Sequence, residues 1–171
     1  MYTEAITNLQ AAVDATPGIC ELLFLPVQSI NKMPDFRVAQ AAYQDTPDNI
    51  WSLQNSYFDL KESWKNFNTV ALSIKFKENH ENTGSGTFYK SSVEVVFNTD
   101  FWENNQQLLR SYTRQRWVVV VKQRNATWRM MGNLKQAARF TFDYENNQKQ
   151  IANQCKFEWQ SVEPCPAVSE A

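Results

Sequence analysis

Side chains able to make or break bonds are few in this chain, and they lie far apart. His80 is the only histidine. It falls in the polar run Glu78-Asn79-His80-Glu81-Asn82, where nothing marks a pocket or an orienting partner. It therefore reads as a solvated turn residue rather than a general base. A lone histidine also excludes the His-based zinc triads. The three cysteines, Cys20, Cys155 and Cys165, are odd in number and lack a Cys-x-x-Cys spacing, which argues against both a disulfide framework and a zinc site. Cys20 sits in an apolar segment and reads as core. Cys165, between two prolines, can be exposed, and a Cys155–Cys165 bridge is open but not favoured. The carboxylates Glu94, Asp100, Glu103, Asp143, Glu145, Glu158 and Glu163 are scattered, with no pair that marks a general acid. Gly-x-Gly-x-x-Gly, Walker and Gly-x-Ser-x-Gly patterns are absent. Gly84-Ser85-Gly86 is followed by a strand and not a helix, so it closes a hairpin and cradles no phosphate. The expectation is a protein without catalytic residues, cofactor or metal.

The clearest pattern is one of charge. Between Arg110 and Arg139 lie eight basic residues and no Asp or Glu: Arg110, Arg114, Arg116, Lys122, Arg124, Arg129, Lys135 and Arg139. Trp117 and Trp128 are interleaved with them. That mixture suits stacking on single-stranded nucleic acid. It equally suits a positive face that meets a negative one on an identical neighbour, since Arg and aromatic residues are enriched at protein interfaces, and it also fits an ordinary solvated surface. A net charge of −1 excludes a protein that coats nucleic acid through bulk charge. The sixteen Asn and fourteen Gln supply uncharged hydrogen-bonding groups, a composition that fits broad contacts between subunits.

The elements that would carry these residues follow from periodicity. Residues 3–14 fit a short helix, with Ile6, Leu9 and Val13 on one face, Thr3 as N-cap and Pro17-Gly18 as its stop. Ile19 to Val27 reads as a strand. Its Leu22-Leu23-Phe24-Leu25 core is apolar on both faces, so it belongs inside a sheet or against a neighbour. Asn31 to Asp48 reads as a long loop, and Ile50 to Phe67 as a strand with a bulge or turn near Asn55-Ser56. Thr69–Lys77 and Thr87–Asn98 alternate with period two and form a β-hairpin around a Glu78–Gly86 turn region. Asn98-Thr99-Asp100 starts an amphipathic helix running to about Thr113, with Phe101, Leu108 and Tyr112 on one stripe and Trp102 and Leu109 beside it. Trp117–Lys122 is typical of a central strand. Thr127–Met131 pairs back on it, Gly132-Asn133 turns, and strands follow at Ala138–Tyr144 and Ile151–Val162. Pro164 and Pro166 stop the last strand.

A chain of 171 residues fits one domain, residues 1–171, with an N-terminal helix or arm over 1–16 and a loose C-terminal arm over 164–171. The fold class expected is mainly β with one or two helices (α+β), a β-sandwich or small barrel with one amphipathic helix at about 100–113. No apolar run approaches the ~20 residues that span a bilayer. Met1–Gln10 lacks the basic and apolar regions of a secretory signal, so synthesis inside the cell is expected.

The segments Leu108-Leu109-Arg110, Arg116-Trp117-Val118-Val119-Val120-Val121, Trp128-Arg129-Met130-Met131-Gly132, Arg139-Phe140-Thr141-Phe142-Asp143 and Phe157-Glu158-Trp159 up to Pro164, with Pro17-Gly18-Ile19-Cys20-Glu21-Leu22-Leu23 at the start, carry a resemblance. Over about residues 17–166 the chain resembles virion structural proteins of tailed phages and prophages of Bacteroidetes, of the tail-tube or tail-ring type. It departs from that pattern at Glu145-Asn146-Asn147 and Asn153-Gln154-Cys155. The resemblance implies a β-barrel or sandwich with one helix. It implies a structural subunit that forms a ring of its own copies (hexamer or dodecamer) around the DNA channel, as tail tube, tail ring or head–tail connector. It further implies contact with adjacent tail or connector proteins, passage of phage DNA without sequence-specific contact, no membrane partner, and a place in the virion tail after synthesis in the host cytoplasm. Subunit contacts are then expected at Lys75, Lys77, Phe88, Tyr89, Arg110, Arg114, Arg116, Arg124, Arg129 and Arg139. The alternative carried beside it is a nucleic-acid-binding module built on residues 110–139.

Overall fold

Leu22–Leu25 and Trp117–Val121 offer no polar position to turn towards water, so each needs cover on both faces. The structure, a computed structural model, describes residues 21–33, 51–52, 58–67, 71–97, 99–122, 128–146, 151–162 and 165–169. In chain order its elements are β1 (Glu21–Pro26), a 3-10 turn (Val27–Ser29), β2 (Ile30–Lys32), β3 (Trp51–Ser52), β4 (Asp59–Leu60), β5 (Lys65–Asn66), β6 (Ala71–Thr83), β7 (Gly86–Phe97), helix α1 (Thr99–Tyr112), β8 (Arg116–Lys122), β9 (Trp128–Met131), β10 (Ala138–Asn146), β11 (Ile151–Ser161) and β12 (Ala167–Ser169).

The two apolar segments find each other. β1 lies antiparallel to β8 along its whole length, from Glu21 opposite Lys122 to Pro26 opposite Trp117. Alternation then divides their side chains between two cores. Leu22, Phe24, Trp117, Val119 and Val121 enter the larger core with Val93, Val95, Phe140, Phe157 and the α1 residues Leu109 and Tyr112. Leu23, Leu25, Val118 and Val120 enter the smaller one with Phe58, Trp64, Trp128, Met130 and Val168. Phe24 sits at the centre of the larger core. Its ring centroid is 4.5 Å from Phe67, 5.2 Å from Phe157 and 5.4 Å from Trp117.

The sheet forks at β8. Along the edge of β8 away from β1, β9 pairs with Val119–Lys122 and β10 with Arg116 and Trp117. One branch continues from β9 to β12 and β3, the other from β10 to β11, β7 and β6. Gly132 stands at the fork. Its φ of +90° suits glycine, and a Cβ there would lie 2.7 Å from the Trp117 carbonyl oxygen and 3.0 Å from the Ala138 nitrogen. Asn133 fixes the loop that follows, its Oδ1 accepting from the Lys135 and Gln136 N–H groups at 2.9 and 2.7 Å.

The protein is thus mainly β, with one long helix among the described residues, built on an open antiparallel sheet whose described strands end at β6 on one side; among them only β12 and β3 pair in parallel. Several local expectations change. Residues 50–67 form no single strand but carry the short pieces β3, β4 and β5, because the three pair with different partners, β12, β2 and β1, and the chain bends at Lys61-Glu62 between the last two. The supposed Glu78–Gly86 turn is strand as far as Thr83, with Gly84-Ser85 alone turning. Cross-strand polar bonds hold this extension: Thr87 Oγ1 donates to Asn82 Oδ1 at 2.8 Å, and Lys90 Nζ meets Glu81 at 2.9 Å. Leu108 leaves the buried stripe of α1 and is 43% exposed, while Leu109 is fully buried. A backbone break at Asn105 (φ −124°, ψ 16°) interrupts the helical phase before both. The C-terminal segment is no loose arm over residues 165–169, since Val168 and Cys165 are buried and β12 pairs with β9. The helix expected over 3–14, the loop beyond residue 33 and Cys20 lie outside the described residues.

Gly132→Ala is expected to lower stability by roughly 1–3 kcal/mol, as strain at a left-handed position does. Gly84→Ala, with nothing within 4 Å of the added carbon, is expected to stay within about 0.5 kcal/mol of the parent. Urea midpoints at constant slope check both.

Candidate functional site

Strands β6, β7, β11 and β10 turn one set of residues into the larger core, so alternation sends their neighbours to the opposite face. Register aligns those outer residues in rows. One row runs Lys75, Glu94, Lys156, Thr141; the next runs Lys77, Ser92, Glu158, Arg139, Arg116. The second row, with Glu94 and Lys156 of the first, floors an open groove of about 800 Å³ whose walls include Phe88 and Lys90. Lys156 Nζ lies 2.6 Å from Glu158 Oε1. That hydrogen bond, with the charges of Glu158, Glu94 and Asp143, raises the Lys156 pKa above the ordinary lysine range despite some desolvation. Arg116 and Arg139 stand directly opposite each other, both exposed, and neither makes an ion pair among the described residues. Like charges facing across a strand pair are unfavourable. The guanidinium forks are suited to carboxylates arriving from another molecule.

This geometry regroups the residues singled out from sequence. Lys75, Lys77, Phe88, Arg116 and Arg139 share the outer face. Tyr89 turns to the other side of the β6–β7 hairpin, where its ring lies 6.4 Å from that of His80. His80 is exposed as expected, but on a strand. Arg110 and Arg114 are exposed on α1 and just after it. The helix covers the core side of the sheet through Leu109 and Tyr112, so these two cations do not reach the groove. Arg129 serves the other branch, donating from Nη1 to the Cys165 carbonyl at 3.1 Å. Lys122 meets the buried Glu21 at 3.6 Å and lies 5.2 Å from the centre of the Trp128 ring. Arg124 lies outside the described residues. The basic run of 110–139 is therefore no single face, because helix, strand alternation and the fork point its members in different directions. Trp117 and Trp128 are 0% and 3% exposed, so neither is available to stack on a base. Lys90, Ser92 and Lys156 escaped the sequence reading, which places Glu158 only among the scattered carboxylates. Alternation around Cys155, Phe157 and Trp159 places Lys156 and Glu158 outward, but only the pairing of β11 with β7 and β10 brings them beside Lys77 and Arg139.

Across the sheet, Glu78 Oε2 accepts from Ser91 Oγ at 3.0 Å and from the Cys165 N–H at 2.8 Å, and Cys165 Sγ donates to Ser91 Oγ at 3.0 Å. Cys165 is buried rather than exposed, and both it and Cys155 are free thiols. Burial pushes both thiols far above the ordinary cysteine range. Among the described residues no three His, Cys, Asp or Glu side chains converge to hold a metal ion, and no helix is long and apolar enough to cross a membrane. Compared with family models, curated proteins and solved structures, the chain matches none.

Iodoacetamide at about pH 8 is expected to leave Cys155 and Cys165 unmodified in the folded protein and to modify both after unfolding, because only the thiolate reacts. Peptide mass mapping reads the two sites separately. Labelling of Cys165 in the native protein would contradict the bonding described for it.

Proposed function

We propose that this chain is a non-enzymatic structural subunit of a phage tail, assembling with its own copies into a ring around the DNA channel as tail tube, tail ring or head–tail connector. The observation that carries the reading is the end of the sheet. β6, thirteen residues long, pairs with β7 along one edge and with no described strand along the other. In a monomer such an edge invites unwanted pairing; in an assembly it is a joint. The outer face beside it supports the same reading, because Arg116 and Arg139 face each other with no ion pair among the described residues, while Glu158, opposite Arg139, is engaged by Lys156. The sequence resemblance supplies the particular assembly. Its partners would be copies of the chain in a hexamer or dodecamer and the adjacent tail or connector proteins, with DNA passing through the ring and no sequence-specific contact.

Purified protein is expected to form species larger than a monomer by light scattering after size exclusion, and annular particles by negative-stain microscopy. Arg116→Glu combined with Arg139→Glu is expected to weaken the assembly about tenfold or more while the circular dichroism spectrum is retained. A chain that stays monomeric at high concentration and in the presence of neighbouring tail proteins would refute the proposal.

A further inference from the structure

The last of the described strands on this branch, β6, carries its polar residues in an order that complements itself. The exposed part of β6 reads Lys77-Glu78-Asn79-His80-Glu81. Reversed about Asn79, the same segment reads Glu81-His80-Asn79-Glu78-Lys77, and antiparallel pairing of two identical strands is such a reversal. With Asn79 opposite its own copy, Lys77 faces Glu81 twice on the outer face. Glu78 faces His80 twice on the inner face.

Neighbouring registers do worse. A slip that interchanges the faces would set outer residues against inner ones, so the register moves in steps that keep each face together. Centring on Glu78 sets Lys75 against Glu81, but it also sets the Glu78 carboxylate against its own copy and Lys77 against Asn79. Centring on His80 sets Lys77 against Thr83 and Glu81 against Asn79. Only the Asn79 register sets Lys77 opposite a glutamate.

The side chains are placed to use it. Lys77 makes no ion pair among the described residues. Glu78 spends only Oε2 on Ser91 and Cys165, and Oε1 has no partner among the described residues. Glu81 already receives Lys90 Nζ at 3.0 and 2.9 Å, and a carboxylate has lone pairs for a second cation. Lysine on an edge strand ordinarily discourages pairing. Here it discourages strands that bring no glutamate to residue 77, and its own copy brings one.

We propose that β6 pairs with β6 of a second copy about a two-fold axis through Asn79, so that one sheet runs through both molecules. The inference deepens the assembly reading and rests on it for the presence of further copies. A contact of this symmetry closes at two, so the ring itself is closed by other surfaces, the Arg116–Arg139 face among them, and the β6 contact joins rings in pairs.

Two experiments test it. In a Cys20→Ser background, Asn79→Cys is expected to oxidise to a disulfide-linked dimer, because residues directly opposite in an antiparallel pair lie about 4.5–5.5 Å apart, within disulfide reach. Lys75→Cys, opposite Thr83 in this register, is expected not to cross-link. Lys77→Glu and Glu81→Lys are each expected to weaken self-association about tenfold or more by sedimentation, since each sets like charges together twice. An equimolar mixture of the two variants is expected to recover it, because each then meets the opposite charge on the other. Equal cross-linking at 75 and 79, single variants that associate like the parent, or a mixture that fails to recover would overturn the proposal. A two-fold dimer that never grows would leave this contact standing and remove the ring; annular particles indifferent to both charge variants would remove this contact and leave the ring.

Discussion

A strand without polar side chains has to be covered twice, and that requirement, set by Leu22–Leu25 and Trp117–Val121, organises the molecule. Each segment satisfies the other's backbone along β1–β8, but the pair still presents two apolar faces. Two separate cores therefore form, one under α1 and the β10–β11–β7–β6 branch, the other under Phe58, Trp64, Trp128 and Val168. Fully burying one large apolar side chain contributes about 1.5–3 kcal/mol. A pair of strands that buries every residue from Leu22 to Leu25 and from Trp117 to Val121 thus outweighs any single surface contact.

The fork follows from that double cover. One edge of β8 is taken by β1, so the strands that cover the two faces must share the other edge. β9 takes part of it and β10 the rest, and they diverge at Gly132, where the backbone passes too close to Trp117 for a side chain. Trp117 and Trp159 show how closely the branches are tied. The Trp117 indole N–H donates to the Tyr112 carbonyl at 3.0 Å, fastening α1 to β8, and the Trp159 N–H donates to Gln136 at 2.8 Å, fastening β11 to the loop after the fork.

Divergence also leaves the sheet with ends. Among the described strands the branch through β10 stops at β6, whose polar half lies beyond Phe76, the last apolar residue of the strand. There Glu81 is taken by Lys90 and Glu78 by Ser91 and Cys165, while Lys77 makes no ion pair among the described residues. The same separation explains the outer face. The core side of β7, β10 and β11 is filled by aromatic and branched residues, and the far side collects every lysine, arginine and glutamate that alternation excludes from it.

The sequence by itself determined the element types over most of the described chain. Period two in Thr87–Asn98 and Ile151–Val162, the apolar run at Trp117, the helix start at Asn98-Thr99-Asp100 and the turn at Gly132 are local properties, and local sterics and hydrophobic period decide them. It also determined which face of β7 and β11 turns inward, since Val93, Val95, Cys155, Phe157 and Trp159 alternate with polar residues. Tertiary structure alone decided which strands are neighbours. That choice depends on contacts between residues far apart in the chain, which no local period encodes. The basic residues of 110–139 were therefore contiguous in sequence but dispersed in space, and Lys77, Glu158 and Arg139, distant in sequence, became a row. Trp117 and Trp128 went to the core for the same reason: each lies on a strand whose two faces both had to be filled.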